Sequence, residues 1–102
     1  MTTFLRMFQT AVDPADLEEI RRLFADDILP AYRQFPGCTS IDLVVAVDHH
    51  PGGLVECAAV SRWDRLESMG EAMESRAAKE AQVRVFELLR QEPLVRVFEV
   101  VT

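Results

Sequence analysis

The sequence predicts an α+β fold of the ferredoxin-like βαββαβ kind, a four-stranded antiparallel sheet with its helices on one face. Three observations carry this. Apolar residues change period along the chain in the order strand, helix, strand, strand, helix, strand. The two middle strand-like runs are joined by His49-His50-Pro51-Gly52-Gly53, a tight-turn composition that suits an antiparallel hairpin. The outer connections are crossovers, which are right-handed almost without exception and bring both helices to the same side.

The first strand is predicted over residues 4–12. Phe4, Arg6, Phe8 and Thr10 share one face, and Leu5, Met7, Gln9 and Ala11 the other. Both faces carry apolar groups, as in a strand covered on both sides. Asp13-Pro14 then opens a helix, with the Asp13 carboxylate able to accept from first-turn N–H groups and Pro14 at a position that needs no donor. Leu17, Ile20, Phe24, Ile28, Ala31 and Phe35 form one apolar stripe. Pro30 lies inside it and removes the bond to the Asp26 carbonyl, which predicts a kink or break near Ile28. Pro36-Gly37 ends the element.

The second strand is predicted over residues 38–48 and the third over 54–63, which ends on Trp63, the only tryptophan. A helix entered at Asp64 follows. Over residues 65–91 two stripes alternate out of phase, Leu66, Met69, Met73 and Ala77, then Val83, Phe86 and Leu89. The phase slip predicts two helical pieces, or a bent helix, changing around Ser75–Glu80. Pro93 stops it, and residues 94–101 form the last strand.

The 102 residues make one domain, with 49% hydrophobic and 27% charged residues. No apolar run approaches a membrane span, and MTTFLRMF lacks the pattern of a secretory signal, so a cytoplasmic protein is expected. The net charge of −6 and the scattered basic residues argue against nucleic acid and against an anionic membrane surface as partners. Cys38 and Cys57 read as small buried side chains. His49 and His50, without carboxylate or thiol partners nearby, read as a hairpin tip, and no metal site is expected. No phosphate loop, dinucleotide fingerprint or nucleophile motif is present, and nothing requires a cofactor. The uncovered sheet face would leave a large apolar patch, so a homodimer with a two-fold axis is expected.

The helix ending ILPAYRQFPGC, the hairpin, the strand end SRWDRLESM and the closing strand VRVFEVV resemble the antibiotic biosynthesis monooxygenase (ABM) family of dimeric α/β-barrel proteins. The resemblance covers almost the whole chain. It implies a pocket in each subunit between sheet and helices, and a cofactor-independent monooxygenase that oxidises an aromatic phenol, quinol or polyketide-like substrate with dioxygen. A non-catalytic small-ligand-binding or stress-associated dimeric barrel protein is the alternative within the same fold. The family's haem-degrading branch uses a Trp, an Asn on the first strand and a His on the helix after the Trp. Trp63 matches the first, Phe8 stands near the place of the Asn, and residues 65–91 contain no His. Haem degradation is therefore not the expected activity.

Trp63, Tyr32 and Arg6 are the candidate catalytic residues. A flat indole packs on an aromatic ligand and offers an N–H. The Tyr32 hydroxyl can donate to a phenolate or quinone oxygen, and an arginine among Phe4 and Phe8 needs an anionic partner, either the substrate or a carboxylate such as Glu99. Phe8, Phe24, Ser61, Met69, Met73 and Phe86 are the expected substrate-binding wall.

Overall fold

The computed structural model describes residues 2–48 and 50–102, with the side chain of Pro51 left out. Strand β1 runs Thr3–Val12. After a single turn at Pro14–Asp16, helix α1 (Leu17–Leu23), a π-helical turn (Phe24–Ile28) and helix α2 (Leu29–Arg33) follow without a break. Then come β2 (Cys38–Val45), β3 (Val55–Trp63), α3 (Leu66–Glu74), α4 (Arg76–Leu88) and β4 (Leu94–Val100). The sheet order is β2-β3-β1-β4 with every neighbouring pair antiparallel. This is the predicted topology.

Several local expectations hold for visible reasons. The Asp13 side chain accepts from Ala15 N–H at 2.9 Å and caps the first turn. Pro30 does not break its helix. The turn just before it widens instead, the Leu29 N–H reaching back to the Phe24 carbonyl. A π-turn of this kind inserts one residue into the helical repeat, so Phe24, Ile28 and Tyr32 all stay buried on one side. The second helical region changes direction at Ser75, whose backbone is extended. Its hydroxyl accepts from Ala78 N–H at 3.1 Å and donates to the Ala72 carbonyl at 2.7 Å, ending one helix and starting the next.

Other expectations are corrected. The second strand ends at Val45, three residues before the predicted end. Helix α3 begins at Leu66 rather than Asp64, because Arg65 is still extended. Leu66 and Val83, assigned to apolar stripes, are exposed. On α4 the inward positions belong to Ala78, Gln82, Val85 and Phe86, so a polar residue holds a place that the hydrophobic pattern gave to Val83. His50 is exposed beside the hairpin turn, as expected for a tip, and His49 lies outside the described residues.

The register puts Phe4, Arg6, Phe8, Thr10 and Val12 of β1 on the helix side, with Cys57, Ala59, Ser61 and Trp63 of β3. Two buried clusters form there. One joins Phe24, Ile28, Ala31, Tyr32, Ile41, Trp63, Met69, Ala72 and Ala78. The other joins Val12, Ile20 and Cys57. A short bridge between Val12 and Leu89, with Arg90 N–H on the Ala11 carbonyl at 2.9 Å, ties the end of α4 to the end of β1. Strand β4 is exposed along its whole length, with Leu94, Val95, Val97 and Phe98 each about half accessible.

Gly37 is required for a reason that the turn composition did not reveal. A Cβ there would lie 2.4 Å from the Cβ of Ser68 and 2.9 Å from Asp64 Oδ1. The glycine lets the turn before β2 press against the start of α3, where Asp64 N–H donates to the Gly37 carbonyl at 2.9 Å.

Candidate functional site

Between the helix side of the sheet and the two helical layers lies a narrow cavity of about 60 Å³. Strand β1 supplies Arg6, Phe8, Thr10 and Val12 along its floor, and Cys57 and Ala59 of β3 continue it. The roof comes from Ile20, Phe24, Ile28 and Tyr32 on the first helical stretch and from Gln82, Val85, Phe86 and Leu89 at the end of the second. The π-turn matters here, because it sets Phe24, Ile28 and Tyr32 in one row over β1. The small side chains at Cys57 and Ala59 leave the space that the roof does not fill.

The cavity has two unlike ends. At one end Val12, Ile20 and Leu89 are apolar, closed by the Val12–Leu89 bridge. At the other stand Arg6, Tyr32 and Gln82. Gln82 Nε2 donates to Tyr32 Oη at 2.9 Å. The Tyr32 hydroxyl donates in turn to Met73 Sδ at 3.7 Å, a weak acceptor. Burial pushes the Tyr32 hydroxyl above its ordinary pKa of 10.0, against the opposing pull of the Arg6 charge and the Gln82 bond. Tyr32 is therefore a neutral donor at physiological pH. Arg6 lies 5.9 Å from the Phe8 ring centroid and has no ion-pair or hydrogen-bond partner among the described residues. Glu99, the carboxylate offered as the alternative to a substrate anion, sits on the same sheet face but is exposed and makes no ion pair with Arg6. Thr10 is already committed, donating to the Gln91 carbonyl at 2.7 Å. Phe86, nearly half accessible, meets Phe8 with ring centroids 5.8 Å apart and guards the outer side.

Of the residues singled out in the sequence, Arg6, Tyr32, Phe8, Phe24 and Phe86 are brought together on this cavity. Trp63, Ser61, Met69 and Met73 are not among its lining residues. Trp63 is completely buried, its indole N–H donates to Ser61 Oγ at 2.9 Å, and its ring packs 6.2 Å from that of Tyr32. Its bulk closes the core and its donor is spent. Ser61 Oγ is the acceptor of that bond and lies off the cavity. Met69 is core, and Met73 stands behind Tyr32 as an acceptor. The residue that sequence reasoning missed is Gln82. Its signal was present but weak, an inward helical step from Ala78 that is polar where the pattern asks for an apolar residue.

Among the described residues no His, Asp or Glu lines the cavity, and no group of three or more His, Cys, Asp and Glu is placed to hold a metal ion. Burial raises both thiols above their ordinary 9.0, Cys38 and Cys57 alike, with the Glu56 charge adding to the second. Neither is a ready thiolate at neutral pH. No helix among the described residues is long and apolar enough to cross a membrane.

This fold is that of the antibiotic biosynthesis monooxygenase domain. The chain aligns over its full length, at 17% identity and a TM-score of 0.83, with the full length of a Bordetella bronchiseptica protein named "putative antibiotic biosynthesis monooxygenase". A Nitrosomonas europaea protein of the same name gives 10% identity and a TM-score of 0.80 over 97% of this chain and 90% of that one. Rv0793 from Mycobacterium tuberculosis is 25% identical, with a TM-score of 0.73 over 94% of this chain and 92% of that one. No family model and no curated protein matches the sequence.

Proposed function

We propose that the cavity oxidises a small electron-rich phenol or quinol with dioxygen, without a cofactor. The observation that carries this reading is Arg6, a cation with no anion beside it among the described residues, at the polar end of a mostly apolar cavity. A guanidinium there stabilises a phenolate over its phenol, and exclusion of water strengthens the interaction. The phenolate is the species that gives electrons to dioxygen. With no His or carboxylate on the cavity among the described residues, water takes the proton. A phenol with a free para carbon, or a quinol with any free ring carbon, then balances without an outside reductant. The ring loses four electrons, one oxygen atom is placed on that carbon to give a quinone or hydroxyquinone, and the other leaves as water with two hydrogens drawn from the C–H bond and the ring hydroxyls. The names of the structural neighbours support the same class of reaction.

The volume limits the substrate. About 60 Å³ is room for roughly four to six water molecules. That is less than one aromatic ring occupies, so even a single-ring substrate enters only if Phe86 on the open side moves, and a polycyclic one needs a larger movement. The same reading takes the protein as a homodimer. Exposed Leu94 and Phe98 share the far sheet face with Leu5 and Met7, and exposed Val95 and Val97 lie on the near face, so a second copy would cover strand β4.

The test is oxygen uptake with a panel of phenols, hydroquinones and anthrones. The expected result is turnover of single-ring quinols above the spontaneous rate, lowered roughly a hundredfold in Arg6→Leu and less in Tyr32→Phe. Equal rates with and without protein across the panel would overturn it. The cavity without a general base favours the second reading, a non-catalytic binding protein for small aromatic ligands. Under that reading the same compounds bind, Arg6→Leu weakens binding, and no oxygen is consumed.

A further inference from the structure

We infer that Gln82 is a specificity residue that selects a ring bearing two oxygens, a quinol in preference to a simple phenol. The inference rests on the reading of the cavity given above and names its substrate class more narrowly. Arg6 meets the anionic oxygen of any phenol, so it cannot distinguish phenols by their second substituent. Gln82 can. Its Nε2 is engaged by Tyr32 Oη at 2.9 Å, while its Oε1 has no protein partner among the described residues and belongs to a side chain that lines the cavity. Covering that oxygen with an apolar substituent removes its water and returns nothing. A hydroxyl on the ligand returns a hydrogen bond. Sites that hydrogen-bond one substrate hydroxyl reject the analogue lacking it far more strongly than they reject a change of size.

The Tyr32–Gln82 pair also suits both sides of the reaction. As a donor, the Tyr32 hydroxyl has only a thioether at 3.7 Å to bond to, a contact it gives up readily. With Nε2 on Tyr32, the amide presents Oε1 and accepts from a quinol hydroxyl. If Tyr32 turns its O–H onto Oε1, the amide presents Nε2 and donates to a quinone carbonyl. One pair of side chains thus follows the second ring oxygen as it changes from donor to acceptor.

The experiment measures binding under argon, so that no turnover is needed, by ligand-observed NMR titration. Hydroquinone is compared with 4-methylphenol, and catechol with 2-methylphenol, each pair matched in size but differing in the second hydroxyl. The expected result is at least one pair in which the diol binds about tenfold more tightly, with the preference lost in Gln82→Leu. Tyr32→Phe frees the amide and is expected to reduce the same ratio. Circular dichroism confirms that both variants are folded. Equal affinities within both pairs for the unaltered protein would overturn the inference, and so would a preference that survives Gln82→Leu. Preference for the diol without oxygen uptake would leave the inference standing and remove only the oxygenase reading.

Discussion

The two β-α-β halves of this chain bury themselves very differently. In the first, the helical stretch from Leu17 to Arg33 buries Ile20, Leu23, Phe24, Ile28, Ala31 and Tyr32 over a strand whose last three residues are fully covered. In the second, β3 is well covered, but α4 buries only Ala78 and β4 buries nothing. Both halves have apolar strands. Each half has one central strand, β1 or β3, and one edge strand, β2 or β4; what separates them is cover, since α2 packs against β2 whereas β4 packs on little besides β1. The first half completes a core and the second presents a surface, with the cavity between them. A strand this apolar and this exposed is an association surface or an aggregation hazard.

The largest predicted effects contrast a large ring in the buried core with one on the open side of α4. Trp63→Ala removes a fully buried ring and its bond to Ser61, which should cost about 3–5 kcal/mol in urea unfolding. Phe86→Ala, on the half-accessible side of α4, should cost only about 1 kcal/mol. Equal losses would erase the distinction between the buried core and the exposed side of α4. Gly37→Ala sharpens it from the backbone. The added methyl meets Ser68 Cβ at 2.4 Å, so the turn before β2 must separate from α3, at about 1–3 kcal/mol. Gly70→Ala, where nothing lies within 4 Å, is the control and should be neutral or slightly stabilising.

A smaller effect is a pH dependence. Burial raises the Tyr32 pKa above its ordinary 10.0, so the folded state holds that proton more tightly than the unfolded chain. The contribution to stability is fully present below about pH 10 and is lost as pH rises through the folded value. The two thiols act in the same direction from about pH 9. Unfolding midpoints measured between pH 8 and 11 should therefore fall with pH, and Tyr32→Phe should flatten the fall above pH 10.

Much of this architecture was legible from apolar spacing. Element order, the Ser75 change of direction and the uncovered sheet face all follow from which residues repeat at two or at three and four. Less of the site was legible. Strand parity put Arg6 and Phe8 on one face, and helical spacing put Phe24 with Tyr32. Parity alone could not show that Ser61 would absorb the Trp63 donor, because that bond depends on two side chains of one strand bending toward each other. Nor could it show Gln82 facing inward, because the hydrophobic pattern scores Val83 above it and only the packing of α4 on Tyr32 decides between them. Pro30 is a third case. Its effect on the helix was expected as a kink, whereas a widened turn absorbs it and lines up the cavity roof.

The unfinished second half is the feature on which both the cavity's outer side and the expected assembly depend. Light scattering on the purified chain at micromolar concentration tests it most directly, alongside Phe98→Asp. A mass twice the chain's 11.6 kDa, falling toward the single-chain value in the variant, is the predicted result. A single-chain mass for the unaltered protein would contradict the account and leave strand β4 exposed in solution.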